Sequence, residues 1–154
     1  MDIAKLSEFV KSLVNEAVIQ EGKQFPEITV LPASLPLVAK ALKENTDTQC
    51  DYLVNLTGVD YGESFGVIYH LGSSKFGHIF VLKTKTQGRE NPMLESVCGI
   101  WKTAELHERE VYDLFGIKFN NHPDLRRLFL DDSWGFPLRK DYEQQSRGEI
   151  ENEV

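Results

Sequence analysis

The stretch that most constrains this chain runs from Ala104 to Arg127. It reads as a helix, a glycine stop, a short strand and a basic turn. Advanced at about 100° per residue, Ile100, Ala104, Val111, Tyr112, Leu114 and Phe115 share one broad face. Gly116 is the natural residue to end the helix, because the left-handed C′ position favours an amino acid without a Cβ. Two titratable residues intrude on the apolar face: Glu108, between Phe115 and Tyr112, and His107, between Leu114 and Ile100. Arg109 projects away, with Glu105 and Asp113 within i,i+4 reach. A carboxylate on an apolar stripe is costly to bury unless something pairs with it. Either Glu108 finds a donor elsewhere, with Arg126, Arg127, Arg139 and Lys140 as basic candidates, or it sits at the stripe's edge and reaches water.

The preceding residues supply layers for that helix to pack on. Ile3, Leu6, Phe9, Val10, Leu13 and Val14 follow helical spacing and predict an amphipathic helix over Ile3–Val14. Ile28–Leu31 is a β-branched strand stopped by Pro32. Ser34 is placed to cap a second helix, Leu35–Asn45, with Pro36 in its first turn and Leu37, Val38, Ala41 and Leu42 as its buried face. Tyr52–Val59, Phe65–Leu71 and His78–Lys85 alternate as strands and are joined by short turns, which makes an antiparallel meander. His70 and His78 are expected to form a cross-strand polar pair. Asn91 and Pro92 read as the N-cap and first residue of a further helix, and Ile117–Phe119 as a strand. The expected fold is α+β: one domain over residues 1–142, with a mixed, largely antiparallel sheet packed against helices, then a polar tail over 143–154.

Several chemistries are excluded by residue type and spacing. His107-Glu108-Arg109-Glu110 lacks the second histidine of a His-Glu-x-x-His zinc site, since position 111 is Val. Glu108 and Glu110 project about 200° apart on a helix, so they cannot act as a paired acid and base. Gly58, Gly62 and Gly66 lie in strands and turns, not at a strand-to-helix junction that would cradle phosphate. There is no Gly-x-Ser-x-Gly nucleophile elbow. Cys50 and Cys98 are too far apart for a cluster or structural zinc and read as buried small hydrophobes. A net charge of −7 opposes non-specific nucleic-acid binding, and no apolar run approaches the roughly 20 residues of a membrane span. The chain is expected to be cytosolic or peripheral on the cytosolic side of a membrane. A small acid–base enzyme using His107 and Glu108 is the alternative from a different class.

The C-terminal third is distinct. His122-Pro-Asp-Leu-Arg-Arg127 and Pro137-Leu-Arg-Lys-Asp-Tyr142 set four cations among Phe129, Trp134, Phe136 and Tyr142. Irregular segments rich in arginine and aromatic residues suit binding surfaces. The same arginines can also pair internally with Asp113, Asp124, Asp131, Asp132 and Asp141.

Glu108-Arg-Glu-Val-Tyr-Asp-Leu-Phe-Gly-Ile117, followed by those two segments, resembles the C subunit of proton-pumping NADH:quinone oxidoreductase, respiratory complex I. The likeness extends upstream through Leu56-Thr-Gly-Val-Asp-Tyr61 and Tyr69-His-Leu71. Two departures are Phe129, where the family usually carries an aliphatic residue, and a shorter link from Arg127 to Pro137. The resemblance implies a peripheral-arm subunit without a redox centre, docked beside the subunit that forms the quinone pocket. NADH, FMN, iron–sulfur clusters and quinone would belong to the complex, with no cofactor, metal or catalytic residue on this chain. Membrane contact would come only through the complex, at the cytoplasmic face. Residues expected to meet partners are Glu108, Arg109, His122, Asp124, Arg126, Arg127, Trp134, Arg139, Lys140 and Tyr142. The runner-up is the equivalent subunit of a membrane-bound nickel–iron hydrogenase or a related dehydrogenase.

Overall fold

The computed structural model describes residues 1–143. Helix α1, Ile3–Leu13, begins where the Asp2 carboxylate accepts from the Lys5 amide, and it buries Leu6 and Val10. Strands β1 (Val18–Glu21) and β2 (Pro26–Thr29) form an antiparallel hairpin, of which local sequence predicts only the second strand. A single 3-10 turn, Pro32–Ser34, feeds helix α2, Leu35–Glu44. That turn already gives Ser34 helical angles, so its side chain makes no cap bond. The buried face of α2 is Leu35, Val38, Ala39 and Leu42; Leu37, expected inside, is 52% exposed. Leu35 leads the stripe, which rotates the buried face away from Leu37 and Ala41.

The meander forms as expected: β3 (Tyr52–Asp60), β4 (Phe65–Gly72) and β5 (Ile79–Lys85). Leu56 lies opposite Tyr69, and Tyr69 opposite Leu82. Strand β2 then joins β5 in parallel, giving one mixed sheet in the order β1-β2-β5-β4-β3. Phe65, Val67, Tyr69 and Leu71 alternate onto the core face with Phe80 and Leu82. The other face carries half-buried Ile68 and His70. His70 opposes Val81, whereas His78 precedes β5, 2.6 Å from the Thr48 carbonyl through Nε2. The expected histidine pair therefore does not form, because the register sets the two rings at different levels of the hairpin.

The segment after Asn91-Pro92 is a strand, β6 (Met93–Glu95), and not a helix. Asn91 has φ +44°, a left-handed angle unlike the extended backbone of an N-cap. Leu94 buries its side chain between two more exposed neighbours, and β6 pairs in parallel with β7 (Lys118–Asn120). Between them runs helix α3, Ala104–Phe115, closed by Gly116 at φ +76°. It crosses the sheet at Gly58, where an added Cβ would stand 2.6 Å from the Phe115 ring. Residues 121–142 then fold back over α3 as an irregular strap with one 3-10 turn, Asp132–Trp134. The α+β class holds. Of the expected polar tail, only Glu143 falls within the described residues. No helix among these residues is long and apolar enough to cross a membrane.

Candidate interaction surface and its buried anchors

Helix α3 is covered on two sides, by the sheet and by the strap. That arrangement decides what its polar residues do. Glu108 is fully buried and takes its donors from the turn after β6. The Ser96 hydroxyl donates at 2.6 Å, the Val97 amide at 2.7 Å and the Cys98 thiol at 3.1 Å. None of the four basic candidates reaches it, so neither the expected arginine partner nor an escape to water applies. Burial pushes the Glu108 carboxyl above its ordinary range, against the pull of those three donors. The Cys98 thiol is pushed up to about 12, chiefly by desolvation, and keeps its proton for Glu108. Cys98 is thus a hydrogen-bond donor and not simply a small hydrophobe.

Arg109 also points inward. It is 6% exposed and donates from Nε to the Arg126 carbonyl at 3.2 Å and from Nη2 to the Arg127 carbonyl at 3.0 Å. Asp113, fully buried, accepts from the Phe129 and Leu130 amides at 2.8 and 3.1 Å. Arg127 meets it as an ion pair, Nε to Oδ1 at 2.9 Å, and also donates to the Asp131 and Gly135 carbonyls. A helical wheel with one buried face places Arg109 and Asp113 in solvent. The strap makes a second buried face and takes them both.

The end of α3 is tied to the far end of the strap. Arg139 donates to the Phe115 carbonyl at 2.7 Å, and the Leu138 amide to the Leu114 carbonyl at 3.1 Å. Terminal carbonyls of a helix need such donors, and a cation there is also attracted to the negative end of the helix dipole. Arg127 and Arg139 both lie over the Phe136 ring, 5.2 and 4.7 Å from its centroid. Asp60, at the end of β3, receives Arg89 at 2.6 and 3.2 Å, the Gly62 amide at 2.8 Å and the Lys140 amide at 2.8 Å. The Arg89 hydrogen bonds hold its carboxyl well below the ordinary carboxylate range. Tyr142 donates to the Trp134 carbonyl at 2.7 Å.

His122 lies beside this anchor. Its Nε2 faces the Glu105 carbonyl at 2.9 Å and its Nδ1 accepts the Asp124 amide at 3.0 Å, which assigns the Nε2–H tautomer. Cys98, Glu108 and His122 bring one ligand atom each to within 4.8 Å of one another. The donor set does not fit a metal. Nε2 already carries a proton toward a carbonyl, and moving it to Nδ1 would oppose an amide N–H. Nor does an acid–base site form: His107 is half-buried about 100° around the helix from Glu108, which has no solvent contact.

Of the residues expected to meet partners, Glu108, Arg109, Arg127, Arg139 and Tyr142 build the inside of the strap. Asp124 and Arg126 pair at 2.9 Å on the surface, Lys140 is exposed, and Trp134 is half-buried. Two apolar side chains join them outside, Phe129 at 71% exposure and Leu138 at 53%. The anchoring groups missed by sequence reasoning are Ser96, the Val97 amide, Asp60 and Arg89. Each lies far along the chain from its partner, and no local pattern marks it.

Comparison with known proteins agrees with the motifs. Residues 28–148 match the family described as respiratory-chain NADH dehydrogenase, 30 Kd subunit. The C/D subunit of NADH-quinone oxidoreductase from Phocaeicola vulgatus is 52% identical over 105 residues, covering 67% of this chain and 20% of that protein. The C subunit of NADH-quinone oxidoreductase from a Roseiflexus species is 34% identical over 147 residues, covering 92% of this chain and 84% of that one. The chain spans about a fifth of the length of the C/D relatives. Among solved structures, a chain from the membrane-bound sulfane sulfur reductase, an archaeal respiratory membrane complex, superposes with a TM-score of 0.72 at 23% identity. It covers 90% of this chain and 86% of that one, a likeness of fold.

Proposed function

This chain belongs to the respiratory-chain NADH dehydrogenase 30 Kd subunit family, and on that basis we propose that it is a non-redox peripheral-arm subunit of an NADH:quinone oxidoreductase. It docks beside the quinone-site subunit and holds the geometry through which electrons pass from NADH to quinone, coupled to proton pumping. The observation that carries this reading is the family match over residues 28–148, which takes in both α3 and the strap. The chemistry of the chain agrees. Its two thiols, Cys50 and Cys98, lie 48 positions apart in the sequence and in no closely spaced pair, unlike the ligand runs of iron–sulfur clusters and structural zinc. NADH, FMN, iron–sulfur clusters and quinone then belong to neighbouring subunits.

The strap is the docking surface in this proposal. Its inner side is consumed by Arg109, Asp113, Arg127 and Arg139, so its shape is set before any partner arrives. Its outer side presents Phe129, Leu138, Arg126 and Lys140. Exposed aromatic and arginine side chains on a preorganised support are what a partner reads. Contact with the membrane comes only through the complex, at the cytoplasmic face. The hydrogenase-type assembly finds no support in the relatives named above.

The test is recovery of the tagged chain from gently solubilised native membranes, with co-purifying proteins identified by mass spectrometry. Flavin- and iron–sulfur-bearing NADH dehydrogenase subunits are expected. A nickel–iron hydrogenase large subunit in their place would move the chain to another assembly, and recovery of neither would end the docking reading.

A further inference from the structure

Strand β3 is one of the two edge strands of the sheet, and eight of its nine residues pair on one side only, with β4. Among the described residues no backbone group pairs with its outer edge. Such an edge is a template for another strand, and soluble proteins usually protect it with lysine, proline, short length or a bulge. Here Tyr52-Leu-Val-Asn-Leu-Thr-Gly-Val59 carries no charge and no proline. Protection is confined to a register irregularity between Leu53 and Asn55 and to the strand's last residue, Asp60, which Arg89 and the Lys140 amide cover, among the described residues. Tyr52 and Val54 stand 44% and 43% exposed.

A groove of about 200 Å³ runs beside this edge, with Asn55 and Thr57 on one wall and Glu110, Leu114 and Leu138 on the other. Among the described residues Glu110 is the only charged one lining it. The edge therefore offers unpaired backbone groups, a trough of mixed polar and apolar lining with Leu114 and Leu138 among its apolar contacts, and a single negative charge among the described residues. That combination describes its occupant.

We propose that the outer edge of β3 is a strand-addition site for an extended segment of a neighbouring protein chain. Alternate apolar side chains of that segment lie against Leu114 and Leu138, and a lysine or arginine meets Glu110. Main-chain bonds to an exposed edge supply affinity, and the pockets beside it supply specificity. A second copy of this chain does not complement the groove, because its β3 would bring no cation to Glu110. The sequence of residues 144–154 sets Glu149, Glu151 and Glu153 against Arg147, a net negative charge that Glu110 repels. The inference deepens the docking role proposed above and rests on it.

The test is hydrogen exchange of the full chain, free and in the assembled complex, together with recovery of partners by a Thr57→Lys, Glu110→Lys variant. The outer-edge amides of residues 52–59 should gain about tenfold or more protection on assembly. The variant should keep the wild-type melting temperature to within a few degrees and lose about tenfold in partner recovery. If wild type recovers no partner at all, the docking reading itself has failed. If wild type recovers partners and the variant recovers them equally, with no added protection at 52–59, docking stands and the strand-addition site is overturned. Protection already present in the free monomer would assign the edge to the chain's own residues. Protection rising with concentration of the free chain would assign it to a second copy. Either result overturns the proposal.

Discussion

At the scale of single residues, the decisive question is how a buried carboxylate is tolerated. Glu108 is sealed from water, and three donors meet it. Glu108→Ala leaves the Ser96 hydroxyl and Val97 amide without their acceptor and should cost ~3 kcal/mol in urea unfolding. Glu108→Gln keeps an acceptor for the Val97 amide and removes the charge. Its pH dependence follows from the raised carboxyl. Because the folded value lies above the ordinary 4.5, the stability tied to the protonated form is complete below 4.5 and is lost as pH rises through the folded value. The Gln variant should therefore gain on wild type between pH 5 and pH 8; an unchanged difference across that range would contradict the buried-charge account. Tyr69 offers the converse case. Its hydroxyl is buried with no hydrogen-bond partner among the described residues, so Tyr69→Phe should raise stability by ~1 kcal/mol. These contacts are illegible in sequence for a simple reason. The stripe position of Glu108 can be read from helical period, but its donors lie ten to twelve residues earlier, in a turn whose local sequence resembles a continuing helix.

At the scale of elements, α3 works as a clamp between sheet and strap. Its sheet side needs Gly58, where a Cβ would lie 2.6 Å from Phe115, between a strand and a helix that cannot easily separate. Gly58→Ala should cost ~2 kcal/mol by overpacking, measured as a lower melting temperature. Its strap side needs Asp113. Asp113→Ala strands two amides and the Arg127 cation together, and a broken buried ion pair typically costs ~3 kcal/mol or more. Hydrogen exchange should show the strap, residues 121–142, loosening first, while β4 and β5 stay protected. A uniform loss of protection would mean that strap and core open as one unit. The helix, its glycine stop and the three-strand meander are legible because each has a local period or turn signal. β6 is not: three residues are too few to show alternation, and Asn91-Pro92 mimics a helix start.

At the scale of the whole molecule, the ends of the clamp meet at Asp60. It joins the last residue of β3 to Arg89 and to the strap at Lys140. Arg89 holds its carboxyl below the ordinary 3.8, so this contribution is present above 3.8 and is lost as pH falls through the depressed folded value. Thermal melts from pH 6 down to pH 2 should show wild type losing stability at the acid end and Asp60→Asn losing less over the same span. A wild-type curve flat below pH 4 would rule the clamp out as a contributor. The fold class, the position and end of α3, the meander, the lack of closely spaced metal ligands and the family signature are all written in the linear order of residues. They rest on periodicity, spacing or local turn chemistry, which a chain carries along its length. Three outcomes are settled by folding alone: Arg109 and Asp113 face inward, Glu108 is met by Ser96, Val97 and Cys98, and β3 has an open edge. They depend on a strap folding back over a helix and on the order of strands in a sheet. They pair groups distant in sequence, and no local pattern encodes which partner each one finds.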